Sequence, residues 1–178
     1  MRSAVVPSAL RLAFAPRVRG GRGVTLGRDV RFEIGSDAEV VLGDGCRVGE
    51  HTRLIVRSGR IELGPGVVLG EGVTIVAHAG VTIGERAELG DGAVVVDFNH
   101  VYDDVELPIR LQGLEAAPVT IGAEARIGLG AAILPGVTIG EGARIGPRAV
   151  VTADVRARAA VEGVPARPVA GAAAATRR

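Results

Sequence analysis

The chain reads as an all-β protein, a parallel β-helix of short strands wound into a three-sided prism, and three observations lead there. First, six aliphatic residues stand six positions apart without a break, Ile121, Ile127, Ile133, Ile139, Ile145 and Val151, and Gly122, Gly128, Gly140 and Gly146 each follow directly on one of them. That period is too long for strand alternation and does not fit a 3.6-residue helix, but suits one inward aliphatic per prism face. Second, the same period runs upstream in triplets: Leu42, Val48, Leu54; Leu63, Leu69, Ile75; Ile83, Leu89, Val95. The phase slips only after each third hexad, with nine residues from Leu54 to Leu63, eight from Ile75 to Ile83 and twenty-six from Val95 to Ile121, so the excess stacks at one corner. Third, 47% of the residues are apolar while only 2% are aromatic, and there is no tryptophan. A narrow prism excludes large rings, and its layers, about 4.8 Å apart, fill with Val, Ile, Leu and Ala.

Each segment then takes a place. Residues 1–23 form an N-terminal cap, basic and without an acid before Asp29, where Pro7, Arg11 and Pro16 interrupt every apolar run, so it does not read as a membrane span. Residues 24–158 form the β-helix domain, about seven coils, with weaker hexads around Leu26, Ile34 and Val40 starting the first. Residues 97–118 are extruded as an arm, and residues 159–178 form the C-terminal tail. Caps are needed because the open ladders of a repeat fold expose unpaired backbone. The 27 glycines serve the coil, letting the backbone turn where a Cβ would clash.

Charge and cysteine content exclude several function classes. The formal net charge is +1, with both signs spread along the chain, which leaves no electrostatic footprint for nucleic acid. Cys46 is alone, so no internal disulfide forms and a reducing, cytoplasmic setting is expected, with Cys46 as a small buried residue.

The arm holds the densest polar cluster, beginning Val96-Asp97-Phe98-Asn99-His100-Val101-Tyr102-Asp103-Asp104. Long loops in compact repeat folds tend to carry function, and the rings of Phe98 and Tyr102 argue against disorder. His100 is a histidine, the side-chain type whose unperturbed pKa lies close to neutral, which suits a general base, and Asp97, Asp103 or Asp104 is placed to accept its other ring proton. His78 falls at the insertion corner nearly one coil below Phe98 and His100, where it would line the same groove. His51 completes the three histidines, but separations of 27 and 22 residues leave no closely spaced ligand pair, so no metal site is expected.

These residues resemble the hexapeptide-repeat acyltransferases, in particular the branch that acetylates sugars, saccharide chains and antibiotics. The specific portion is Asp97-Phe98-Asn99-His100, then Pro118-Val119-Thr120-Ile121-Gly122, Ile133-Leu134-Pro135-Gly136-Val137-Thr138-Ile139-Gly140 and Gly163-Val164-Pro165-Ala166-Arg167, in family order. The resemblance implies a left-handed coil, against the usual crossover hand. It also implies a homotrimer whose active sites lie between subunits, and acetyl-coenzyme A as co-substrate in the groove between prisms. His100 matches the catalytic base and Asp103 the acid that often follows three positions later. The arm's Asn99 and Tyr102, with His78, are the acceptor-contacting candidates.

For coenzyme A, held in this family largely by backbone groups, the matching positions are Leu129, Gly130, Pro147, Arg148 and Thr152. Three departures stand out: Arg126 where the family has Trp, Pro147-Arg148-Ala149 for its Ala-Gly-Ser, and Ala153 for its phosphate-binding lysine. Arg148 and Arg167, with Arg156 and Arg158 as weaker candidates, are placed to supply the missing phosphate contact. The resulting expectation is O-acetylation of a carbohydrate or similar hydroxylated acceptor by direct transfer, an amine being the variant. The rival expectations are a non-catalytic β-helix scaffold and a zinc enzyme of the carbonic anhydrase type.

Overall fold

The computed structural model describes residues 17–169 together with the strand Ala4–Val5. Three parallel ladders wrap one core. The first face runs from Val18–Gly20 to Thr138–Ile139 and the third from Arg31–Ile34 to Val150–Val151, six strands each. The second face runs from Ala4–Val5 to Arg167–Pro168 and has nine strands, of which the first and last pair antiparallel.

The hexad count translates directly into register. Leu42, Leu63, Ile83, Ile121 and Ile139 stack in one column. Val48, Leu69, Leu89, Ile127, Ile145 and Val161 stack in a second, and Leu54, Ile75, Val95, Ile133 and Val151 in a third. All are buried. Two aliphatics of one hexad column are therefore a full coil apart, which is why the pattern survives a slip at one corner and no other.

Glycine after the inward residue answers a closer constraint than turning. A Cβ on Gly122 would lie 2.6 Å from the Glu141 amide nitrogen, and one on Gly128 2.6 Å from the Pro147 nitrogen. The next coil's backbone occupies that space, so the requirement is close approach.

The coil extends past both expected boundaries. Val18–Gly20 already pairs in parallel with Val40–Leu42, and Ala160–Glu162 continues the second face beyond Arg144–Ile145. Two faces thus complete six turns, and the second adds a part of another. Ala4–Val5 at one end and Arg167–Pro168 at the other cover the open edges of the second face. The rest of the expected N-terminal cap, residues 1–3 and 6–16, lies outside the described residues, as do residues 170–178 of the tail.

The slips all fall where the third face turns into the first. Ser58, the segment 78–80 and then the whole arm leave the prism at that corner. The arm opens as an antiparallel pair, Phe98–His100 against Leu114–Ala116, and a short 3-10 turn, Ile109–Leu111, lies near its tip.

Candidate active site

Asp97 is placed otherwise than the sequence suggested. It is fully buried, two positions along the strand from buried Val95 and on the same side. Its Oδ1 accepts the amide of His78 at 2.8 Å, and its Oδ2 accepts those of Ala79 at 2.7 Å and Gly80 at 2.6 Å. Its carbonyl accepts the Ala117 amide at 2.7 Å, which ties the outgoing strand of the arm to the returning one. The carboxylate thus holds the corner of the preceding coil, and its oxygens are engaged with backbone rather than with His100.

That corner positions the rings. His78, half-buried, packs its ring against Phe98 with centroids 4.4 Å apart at 52°. Phe98 in turn meets His100 edge-on, 5.8 Å between centroids at 77°. The result is a row of three rings, with His100 outermost and exposed on the arm strand. His78 and Phe98 are half-buried, while His100 is exposed. The sequence reading put His78 nearly one coil below Phe98 and His100, and the structure brings the three rings into one row. What it missed was Phe98 as the ring between them.

Beyond His100 the arm closes on itself through Gln112, which no spacing or motif singles out. Gln112 donates from Nε2 to the carbonyls of Asp104 at 2.7 Å and Leu107 at 2.8 Å, and its Oε1 accepts the Asp104 amide at 2.9 Å. Asp104 Oδ1 accepts the Glu106 amide at 2.9 Å, so this carboxylate also serves the loop. Asn99 and Asp103 are exposed. Tyr102 is 71% exposed, and Val105, Leu107, Ile109 and Leu111 also face outward from the tip.

The remaining candidates fall into separate groups. Leu129–Gly130 and Pro147–Arg148 occupy one corner, between the second and third faces, one coil apart: the Arg148 amide donates to the Leu129 carbonyl and the Gly130 amide to that of Asp91, both at 2.8 Å. Those two amides are spent on the coil, and Pro147 has none, so polar contacts with a ligand here fall largely to side chains. Thr152 lies instead at the corner from which the arm leaves, exposed, two rungs or about 10 Å beyond Val95 in the third column. Arg167 sits in the capping strand opposite Glu162. Within one chain, the His100 corner and the Arg148 corner lie on opposite margins of the third face.

His51 belongs to neither group. It stands at the corner between the second and third faces, near the start of the coil, with Nδ1 3.6 Å from Asp29. The three histidines do not converge, and among the described residues no cluster of His, Cys, Asp and Glu could hold a metal ion. Cys46 is buried with Sγ 3.1 Å from the Gly64 carbonyl, and burial pushes its thiol above the ordinary range. It is a core residue, inert as a nucleophile. No helix among the described residues is long and apolar enough to cross a membrane.

Comparison with known proteins agrees with this architecture. Residues 118–153 match the model of the bacterial transferase hexapeptide, six repeats. A Mycobacterium tuberculosis protein named "Probable acetyltransferase Rv3034c" is 32% identical over 147 residues, covering 82% of this chain and 49% of that protein. Nodulation protein L of Rhizobium meliloti is 40% identical over 147 residues, covering 71% of this chain and 77% of that protein. Among solved structures, a variant of AntD, an N-acyltransferase from Bacillus cereus in complex with dTDP-4-amino-4,6-dideoxyglucose and coenzyme A, superposes with a TM-score of 0.77 at 17% identity. That match covers 93% of this chain and 89% of that one and speaks for the fold. The chain spans about half the length of the first several relatives it matches. From the coil, its register and these matches together, the chain belongs to the hexapeptide-repeat transferase family of left-handed parallel β-helices.

Proposed function

We propose that the chain is an acyl-coenzyme-A-dependent acyltransferase that moves an acetyl group to a hydroxyl of a carbohydrate or similar acceptor, with His100 as general base. The observation that supports this most is the placement of His100. It is exposed on a strand whose base is locked by Asp97 and backed by Phe98 and His78. A scaffold has no use for a titratable ring held at the mouth of an arm by a buried carboxylate.

In this mechanism the imidazole of His100 takes the proton of the acceptor hydroxyl as its oxygen attacks the thioester carbonyl carbon. The new C–O bond forms, the C–S bond breaks as the tetrahedral species collapses, and the imidazolium returns the proton to the departing sulfur. A base of this kind contributes about 10²- to 10⁴-fold, and positioning supplies the rest. Asp103, three residues on and exposed, is the carboxylate assigned to His100, since Asp97 and Asp104 are engaged with backbone. Asn99 and Tyr102 face the acceptor beside it.

Acetyl-coenzyme A would lie along the corner formed by Leu129, Gly130, Pro147 and Arg148, with Thr152 and Arg167 as further contacts. Because that corner and His100 lie on opposite margins of one face, the complete site calls for a second prism, and a homotrimer is the assembly proposed. The exposed apolar side chains of the arm tip fit a segment that is covered on assembly. The test is free-thiol release from acetyl-coenzyme A against a panel of sugars, amino sugars and hydroxylated antibiotics, with sedimentation to read the assembly. Release that no acceptor stimulates, in a protein that also fails to bind coenzyme A, would overturn the proposal.

A further inference from the structure

The corner at Leu129 and Arg148 opens onto the second face through a shallow depression of about 410 Å3, bordered by Arg126, Arg144, Glu88 and Asp91. Arg126 and Arg144 are in register on adjacent rungs, so their side chains leave the sheet about 4.8 Å apart. Elsewhere on the prism an arginine commonly meets a carboxylate one coil away, as in Arg28 with Glu50 at 2.8 Å, Arg57 with Glu33 at 3.1 Å and Arg86 with Glu124 at 2.7 Å. Like charges placed directly opposite on neighbouring strands are unfavourable, so the pair at 126 and 144 costs stability that the other pairs gain.

The carboxylates nearby neutralise it only in part. Arg126 reaches Glu88 only at 3.8 Å, with both side chains more than half exposed. Asp91 Oδ1 accepts the amide of Glu71 at 2.9 Å. Among the described residues Arg144 forms no ion pair, and the next residue in its column, on the C-terminal side, is Ala160. Arg148, at the adjoining corner, is likewise without an ion pair among the described residues and packs its Cγ over Gly130. Two guanidiniums thus border the depression, and a third, that of Arg148, stands at the adjoining corner, where the Gly130 and Arg148 amides are already spent and Pro147 offers none.

We infer that Arg126 and Arg144, with Arg148 at the corner, form a phosphate-binding subsite for a nucleotide ligand. Two guanidiniums side by side offer the forked donors that match a phosphate or diphosphate. The inference rests on the acyl-coenzyme-A reading, and the shared chemistry has two sources: the phosphates of coenzyme A, or the diphosphate of a nucleotide-linked acceptor.

Calorimetric titration of the full chain with coenzyme A, 3′-dephospho-coenzyme A and thymidine diphosphate tests it. The proteins are the wild type, the Arg126→Gln/Arg144→Gln double variant, and an Arg31→Gln/Arg53→Gln control. The control removes the same charge from another in-register arginine pair, on the third face. All four side chains are exposed, and circular dichroism is used to check that the variants fold.

The expected result is a loss of about tenfold or more in affinity for at least one nucleotide in the double variant and not in the control. Loss for coenzyme A but not its dephospho form places the 3′-phosphate there; loss for both places the coenzyme diphosphate; loss for thymidine diphosphate alone places the acceptor. Equal affinities in the double variant and wild type, or equal losses in double variant and control, overturn the subsite and leave the acyl-coenzyme-A reading intact. A wild type that binds thymidine diphosphate but neither coenzyme overturns that reading while the variants still decide the subsite, and one that binds none of the three overturns both.

Discussion

Replacing Asp97 by alanine removes the acceptor of three amides at once, those of His78, Ala79 and Gly80, at a site with no exposed surface of its own. Each hydrogen bond to a charged acceptor contributes about 1.5–3 kcal/mol. The three are not additive, and the corner at 78–80 is partly exposed and can rehydrate, so the summed cost is about 3–5 kcal/mol. At about 2–4 °C per kcal/mol for a chain of this size, Tm falls by about 6–20 °C.

Asparagine refines the test. It keeps one oxygen, yet the two carboxylate positions serve different donors, so an NH2 group must face at least one amide at 2.8 Å or less. The loss should be intermediate, about 2 kcal/mol. Thermal unfolding followed by circular dichroism, with Asp103→Ala as an exposed comparison expected within about 0.5 kcal/mol of wild type, reads the order. An Asp97→Ala protein that unfolds within about 1 kcal/mol of wild type would refute the clamp.

Other expectations concern separate parts of the molecule. Hydrogen bonding to Arg28 holds the Glu50 carboxyl below the usual range, and Arg86 does the same for Glu124. A carboxylate with a depressed folded-state pKa stabilises above its unfolded value, about 4.3, and loses that contribution as pH falls through the folded value. Arg28→Gln and Arg86→Gln should therefore be less stable than wild type at pH 7, with the difference shrinking below about pH 4; a gap unchanged at pH 3 in urea titrations would contradict the pairing. Native protein should leave Cys46 unmodified by a thiol reagent that labels it after denaturation, and rapid native labelling would contradict its burial. Gln112→Ala should open the arm tip, seen as faster proteolysis within 101–113 with little change in Tm, whereas unchanged proteolysis would show that the three amide bonds do not hold it. Ile133→Asp should prevent folding, because a charge in the closed column has neither water nor partner, and a folded variant would show the register to be wrong.

The coil was legible because its rule is local. One inward aliphatic every six residues fixes the faces, and the slips fix the corner where insertions stack, so Leu42 could be aligned with Leu63 and Ile83 from spacing alone. The ends were less legible: Val18–Gly20 has Gly20 where the column's aliphatic stands, opposite Leu42, and Ala160–Glu162 has Glu162 where the hexad glycine stands. In the candidate site, His100 was singled out by its chemistry and His78 by the corner count, and both rings lie against Phe98.

Asp97 was read as a neighbour of His100 because sequence shows adjacency along the chain, while its partners lie a coil away at 78–80. Alternation held the missing signal. Val95 faces inward, so Asp97 two positions later does too, and an inward carboxylate must find donors. Gln112 could not be found this way, since the bonds that define its role are made within an irregular loop. The Arg126–Arg144 pair was available from the spacing of 18, one coil, but its exposure beside a depression was not.

The most direct test of the central claim is acceptor-dependent thiol release from acetyl-coenzyme A by wild type and by His100→Ala. The account predicts release by wild type, and a loss of about 10²-fold or more in the variant with coenzyme A binding and assembly unchanged. Equal turnover by the two proteins would contradict His100 as the base.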